Sequence, residues 1–350
     1  MATPEPSLAE AMERQAAACV LLGSEQYATL IRELRTDLLA GGSTASLLVG
    51  RTDAPLRDAV VLRLLAAVHR LVLRGAAPEL APRYASAGGD GAPIPRSLFL
   101  DVALRHRNEI DLALSQNVQT NEVSRCAALV PAFAVVSRTF GLPLAMHEIG
   151  ASGGLISNWD RYWYDCHGST FGDPSSAVRF TSNWDEPFDL SGIAAVASRR
   201  SCDIAPLDVS TDDAQLRLLS FVWPDQSSRF TVLSSALSVA QQFPLSVEQA
   251  DAGEWLDEAL LRRSPGETSV VFHSIVWQYL PQSTKERVRT VLSRVGAEAT
   301  PARPLAWVRL EPAGAVADVR ITTWPGNEEF CLAVSTYHGM SVRTARPSQS

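Results

Sequence analysis

The sequence predicts an α/β protein: an all-helical N-terminal segment, then a mostly parallel sheet whose last strand runs antiparallel. Two observations carry this. Up to residue 141 the apolar positions recur at three- and four-residue steps, the period of one helix face. From Pro143 onward short apolar runs alternate with helical patterns, and that alternation implies a parallel sheet covered on both faces.

The helical segment opens with Ser7-Leu-Ala-Glu10, the spacing of a capping box, in which the Ser hydroxyl and the Glu carboxylate each satisfy a free backbone N–H. That helix runs towards Gly23. A second covers residues 24–40 and stops at Gly41-Gly42. A third follows Asp53-Ala-Pro55 and ends at Gly75; Val60, Val61, Leu64, Leu65, Val68 and Leu71 form its apolar face. Residues 76–95 are rich in Pro, Gly and Ala and read as a loop. Helices over 96–115 and 122–139 follow, the second kinked at Pro131, which lacks a donor and crowds the preceding turn.

Leu144-Ala-Met-His-Glu-Ile149 is short and apolar and runs directly into a glycine cluster, the pattern of a strand entering a tight turn. Further strands are expected at 194–198, 245–249, 269–273 and 305–310, with helices at 214–219, 229–242, 254–261 and 284–295. Strands at 319–324 and 330–337 flank Pro325-Gly-Asn327 as a terminal hairpin. The expected division is a helical domain over 1–141, an α/β domain over 142–344 with an aromatic-rich insertion at 155–192, and a disordered tail at 345–350.

The chain has 350 residues, room for one large domain or two ordinary ones, and 46% are hydrophobic, enough for a sizeable core. A net charge of -7 leaves no basic surplus to displace counterions, so nucleic acid is not expected as a partner. Lys and Arg form no run suited to a membrane surface. The opening residues lack a basic flank and an apolar core, and the longest apolar stretch, 127–136, falls short of the ~20 residues that span a bilayer. Neither a secretory leader nor a membrane anchor is expected. The five cysteines are scattered with no CxxC pair, so disulfides and a metal site are not expected, and a reducing cytoplasm is the natural setting. Homodimerisation is expected on base rate alone.

The most informative segment is Glu148-Ile-Gly-Ala-Ser-Gly-Gly154. Glycines after a strand let a ligand approach the backbone, and a following helix would offer free N–H groups. The same residues spell Gly150-x-Ser152-x-Gly154, the nucleophile elbow of α/β-hydrolases, with His338 as the base. Against that reading, everything before the turn is helical and no glycine-rich oxyanion loop precedes it.

Over residues 142–340 the arrangement resembles class I S-adenosylmethionine-dependent methyltransferases, which have a Rossmann-like fold. The resemblance implies that Glu148 is the acidic residue before the cofactor loop and that Gly150, Ser152, Gly153 and Gly154 line it. It implies that an acid after the second strand binds the ribose: Asp203 first, Asp208 second. It places Asp251, with Ala252 beside it, near the adenine, and Ser274 and His273 at the end of the fourth strand, facing the reacting centre. About fifty residues separate the glycine loop from Asp203, where such folds usually have about twenty; the insertion accounts for the difference. The whole chain also resembles a large group of uncharacterised bacterial proteins, through segments such as Val118-Gln-Thr-Asn-Glu-Val123, Trp159-Asp-Arg-Tyr162, Val222-Trp-Pro-Asp-Gln226 and Trp277-Gln-Tyr-Leu-Pro281.

Methyl transfer from a sulfonium requires in-line positioning and, for an acidic acceptor, removal of a proton. His273 is the expected base, with a hydrogen-bonded structural histidine as the alternative. Tyr279 and Gln278 are placed to orient a substrate. Tyr162 and the other aromatics of 159–165 are expected either to lid the sulfonium through cation–π contacts or to form a satellite core. Asn121 is expected to cap a helix or touch the cofactor, and Arg125 to bind a carboxylate or pair on the surface. The expected function is therefore an S-adenosylmethionine-dependent enzyme that methylates a small molecule. The alternatives are a cyclisation of the cofactor itself releasing methylthioadenosine, a hydrolase built on Ser152, and a non-catalytic binding protein.

Overall fold

The computed structural model describes residues 6–345; the expected tail lies outside them but for Ala345. The chain divides into two compact units, Met1–Thr120 with Thr211–Ser234, and Asn121–Ser210 with Ser235–Ser350.

The first unit holds α1 (Leu8–Leu21), α2 (Glu25–Leu39), α3 (Ser43–Leu48), α4 (Val60–Leu73), α5 (Arg96–Arg105) and α6 (Arg107–Ser115). The capping box forms as the sequence predicts: Ser7 and Glu10 close on each other at the start of α1. The single helix expected over 96–115 breaks at His106, whose φ of -100° and ψ of 30° leave the helical region. The predicted loop at 76–95 contains two 3-10 turns, Ala81–Arg83 and Ala85–Ala87. Leu64, Leu65, Val68 and Leu71 of α4 pack into one core with Leu30, Ile31, Leu34 and Phe99.

The second unit begins earlier than the expected boundary at 141. Helix α7 (Cys126–Phe140) is apolar on nearly every side and buried over most of its length, and such a helix belongs inside a core. Pro131 lies inside it. Residues Val123–Phe140 are long and apolar enough to cross a membrane by length and composition, a longer run than the sequence reading recognised; 78% of that window is buried within the structure.

Strand β1 (Leu144–Ile149) leads into the glycine turn. The aromatic-rich insertion folds as β2 (Trp163–Cys166), β3 (Ser169–Gly172) and β4 (Arg179–Phe180), a small sheet in the order β3-β2-β4. Strand β5 (Val196–Asp203) runs five residues past its expected end. Arg199 and Arg200 interrupt the apolar pattern there, but each finds a carboxylate, Asp160 at 2.8 Å and Glu248 at 2.8 Å. The chain next passes through the first unit as α8 (Asp212–Ser220) and the start of α9 (Ser227–Gln242), and the segment between them supplies Trp223 to that unit's core. It continues with β6 (Val247–Gln249), α10 (Ala252–Leu261), β7 (Thr268–Ser274), α11 (Gln282–Ala297), β8 (Leu305–Ala313), β9 (Val316–Trp324), β10 (Glu328–Ser335) and β11 (Arg343–Thr344).

The large sheet has the order β11-β10-β9-β8-β7-β1-β5-β6. Its parallel strands are β6, β5, β1, β7 and β8. Numbered by their own sequence they read 3-2-1-4-5, the order of a Rossmann-like half-and-half sheet whose direction of winding switches beside the first strand. The expected terminal hairpin forms as β9 and β10; β9 pairs antiparallel with β8, and β11 extends the meander by one strand. Helices α10 and α11 cover one face through Trp255, Leu256, Val288, Val291 and Leu292. On the other face Phe133 of α7 meets Phe272 of β7 at 5.4 Å between ring centres.

Candidate functional site

The switch point lies between β1 and β7, and their register decides which side chains share a face. Glu148 is paired with Phe272 and His147 with Val271. Neighbouring residues of a strand point to opposite faces. Glu148, Phe272 and Ser274 therefore lie on the α7 side, and His147 and His273 on the α10–α11 side.

Glu148 is 2% exposed. Its Oε2 accepts a hydrogen bond from Ser157 Oγ at 2.5 Å. Burial pushes its carboxyl up to about 8; the Ser157 hydrogen bond opposes the rise and the charge of Asp203 adds to it. A carboxyl in that range is largely protonated at neutral pH and can ionise when a cation arrives.

The glycine turn follows. Gly150 has φ 71°, Ser152 φ 53° and Gly154 φ 73°. A Cβ on Gly150 would lie 2.4 Å from Val276 Cγ2, so glycine is required both by the conformation and by the close approach of the chain after β7. The backbone N–H groups of Gly150 and Ala151 donate to the Cys202 carbonyl, that of Gly154 to Ala151, and that of Leu155 to Asn121 Oδ1 at 2.9 Å. Ser152 N–H donates to Asp203 Oδ2 at 2.8 Å, and Asp203 Oδ1 accepts from Ala205 N–H at 2.9 Å.

Several expectations are corrected here. The turn does not open an α-helix: it enters the 3-10 segment Ile156–Arg161, and most of its N–H groups are bonded within the protein. The distant Asp203 does reach the turn, because the insertion folds as its own small sheet and β5 pairs alongside β1. Asp208 is exposed and accepts from Ser210 N–H. Asp251 caps α10: its Oδ1 accepts from Gly253 and Glu254 N–H, and its Oδ2 accepts from Thr284 Oγ1 at 2.5 Å. Ala252 is the buried first residue of that helix. Both are therefore parts of a helix start.

Asn121 does not cap α7; it holds the chain leaving the glycine turn. Arg125 is no surface residue: 9% exposed, it donates to the carbonyls of Ser274 at 3.2 Å and Tyr337 at 3.1 Å. The loop carrying Tyr337 and His338 comes so close that a Cβ on Gly339 would lie 2.1 Å from the Ser124 carbonyl oxygen.

His273 faces away from Glu148 and is fully buried. Its Nδ1–H donates to Glu311 Oε1 at 2.6 Å, and its ring stacks on Trp277 at 5.2 Å. It is the hydrogen-bonded structural histidine of the two expectations. Tyr162 is also fully buried, with its hydroxyl donating to the Leu155 carbonyl at 2.6 Å. Trp159 and Tyr164 are equally buried, so these three rings belong to a satellite core, while the half-buried Trp163 lies under the Arg179 guanidinium. Tyr279 is 68% exposed in the 3-10 turn Trp277–Tyr279 beyond β7; of the three expected catalytic side chains it alone is open to a ligand. Ser274 lies on the Glu148 side at the end of β7. Sequence reasoning missed Ser157, which no motif marks, and Glu311, an acid just past a predicted parallel strand as Glu148 is at the end of another.

A bacterial family described as "Uncharacterized protein conserved in bacteria (DUF2332)" matches residues 9–343, and the chain belongs to it. No curated protein and no solved structure matches the chain.

Proposed function

We propose that the second unit binds S-adenosylmethionine across the carboxyl ends of β1 and β7, and that the protein is a cytoplasmic enzyme transferring the methyl group to a small molecule. The supporting observation is the combination at one sheet edge: strand order 3-2-1-4-5, an acid ending the first strand, a glycine turn after it, and an acid ending the second strand bonded to that turn. Ligands of such sheets sit outside the carboxyl ends at the switch point.

The residues suit the cofactor in kind. Asp203 accepts one backbone hydrogen bond on each oxygen, and a carboxylate offers about four acceptor positions, so capacity for ribose hydroxyls remains. Glu148 ionises readily beside a ligand's ammonium group. Bound S-adenosylmethionine supplies an electrophilic methyl group on a sulfonium. The chain's own part is to fix the approach of the acceptor, where holding two reactants in line contributes most of the rate, and Tyr279 is exposed at the right edge to orient it. The net charge of -7 favours a small-molecule acceptor over nucleic acid. A self-reacting cofactor rested on an aromatic lid, and Trp159, Tyr162 and Tyr164 of that segment are buried in a satellite core.

One observation favours a second reading. Ser152 holds a left-handed φ of 53° inside Gly-x-Ser-x-Gly, as an elbow nucleophile does. No α-helix follows it, and its strand is the first of the unit, which weighs against a hydrolase.

Calorimetric titration with S-adenosylmethionine and S-adenosylhomocysteine separates the two. Micromolar binding that Asp203→Asn and Glu148→Gln each weaken is the expected result. Absence of binding by the wild type, together with labelling of Ser152 by a fluorophosphonate, would replace this reading with the hydrolase.

A further inference from the structure

The ladder between β7 and β8 ends at Ser274 opposite Leu310. Beyond it the chain turns sharply: Ile275 has φ 51°, a conformation that is a genuine outlier for a β-branched residue. Such outliers persist only where the surroundings impose them. Here the surroundings are two groups of β8. The Leu310 carbonyl accepts from Ile275 N–H at 2.8 Å. Glu311 Oε1 accepts from Val276 N–H at 3.1 Å, from Trp277 N–H at 3.2 Å and from His273 Nδ1–H at 2.6 Å. One carboxylate oxygen thus continues the ladder past its end and ties three consecutive parts of the chain: the strand, the turn and the 3-10 segment. Trp277 is held in addition by stacking on His273 and by contact with Trp307 at 5.6 Å.

What this clamp holds in place is Val276, whose side chain is pressed onto Gly150. Gly150 is the first residue beyond β1, and Val276 lies just beyond β7. They meet at the switch point, outside which ligands of such sheets bind in a crevice.

We propose that Glu311 is a positioning residue: by holding the Ile275–Val276–Trp277 turn in its left-handed form, it fixes the gap between the β1 and β7 ends and so sets the fit of the ligand across the glycine turn. The proposal rests on the reading that this crevice is the ligand site. Glu311 itself, on the opposite face of the sheet from Glu148, touches no ligand.

The test uses the full chain and two readouts. Hydrogen exchange of amides 275–280 is measured without ligand, and S-adenosylhomocysteine affinity by calorimetry. Glu311→Ala should speed exchange of 275–280 by about tenfold or more over that of α10 and α11, and weaken binding by about tenfold. Glu311→Gln, which keeps an acceptor oxygen, should retain most of both. Adding Ile275→Gly to Glu311→Ala should recover much of the lost affinity, because glycine adopts the left-handed turn without the clamp; a residue that merely supports the fold would show no such rescue. Unchanged exchange at 275–280 in Glu311→Ala, or exchange that rises equally across α10 and α11, overturns the proposal. If the wild type binds no S-adenosylhomocysteine, the cofactor reading fails, and the exchange measurement alone still decides whether Glu311 clamps the turn.

Discussion

Glu148 and Glu311 end two parallel strands of one sheet on its opposite faces, and the protein treats them in opposite ways. Glu311 collects three donors on a single oxygen. Glu148, more deeply buried, accepts hydrogen bonds from the hydroxyl and the backbone of Ser157, and burial still carries its carboxyl up to about 8. Buried polar groups are normally satisfied. Glu311 uses that one oxygen as a fastening, while its Oε2 is buried without a hydrogen-bond partner. Glu148 is instead held largely neutral by burial at neutral pH, and its capacity to ionise beside an arriving cation is what distinguishes the candidate site from the scaffold.

The largest expected effect tests the Glu148 side of this contrast through pH. Its folded value of about 8 lies above the ordinary 4.5. Between those values the unfolded chain loses the proton and the folded one keeps it. Its contribution is therefore fully present below about pH 4.5 and is lost as the pH rises towards 8. Glu148→Gln should remove this slope and stabilise the protein at pH 8 by on the order of a few kcal/mol, while weakening ligand binding. Urea unfolding of both proteins at several pH values checks it, and parallel profiles for the two would contradict the assignment.

His147 sharpens the comparison from the other face. It is one residue from Glu148 and shares a face with His273, yet its buried Nδ1 has no hydrogen-bond partner among the described residues. Burial lowers it to about 4, with the charges of Arg200 and Arg263 adding. The sign is reversed: the unfolded imidazole takes a proton as pH falls through about 6.5, the folded one resists until about 4. Stability is full above the upper value and declines towards the lower. Replacing His147 by Phe should flatten that part of the acid limb, an effect on the order of 2 kcal/mol at pH 5. His69 in the helical unit, also lowered to about 4 by burial, contributes a slope of the same sign. Its two nitrogens contact the Ser220 carbonyl and Ser86 Oγ, so its replacement should also cost stability at pH 7.

Removing the Glu311 carboxylate comes next. Glu311→Ala leaves three N–H groups without their acceptor and should cost about 2–3 kcal/mol at pH 7, read by urea unfolding. A cost under about half a kcal/mol would mean that water replaces the carboxylate freely and that the clamp is weak.

These residues also mark what the sequence could and could not disclose. Glu148 and its glycine turn were legible because an acid, a strand end and three glycines stand together. Asp203 was legible by its place after a strand, although its distance along the chain became intelligible only once the insertion formed a separate sheet. Glu311 carries the same mark as Glu148, an acid at the end of a parallel strand, but its role depends on which face it occupies, and that follows from register. The catalytic reading of His273 fails for the same reason. Ser157 and Arg125 act through contacts set by irregular chain paths, to which no periodicity corresponds. The excursion of 211–234 into the helical unit was equally hidden, since α8 and α9 read as ordinary crossover helices.

The smallest effect bears most directly on how the Glu148 charge is supported. Ser157 Oγ supplies a hydrogen bond that favours the ionised carboxylate and pulls against burial. Ser157→Ala should therefore raise the Glu148 carboxyl further, moving the pH at which the slope ends upward. At pH 6, where Glu148 is protonated with or without the serine, the stability cost should be only about 1 kcal/mol, the ordinary value of one hydrogen bond. The cost should grow towards pH 9, where the charge must form without its donor. A cost independent of pH would show that the serine packs against Glu148 without supporting its charge, and the contrast with Glu311 would then rest on burial alone.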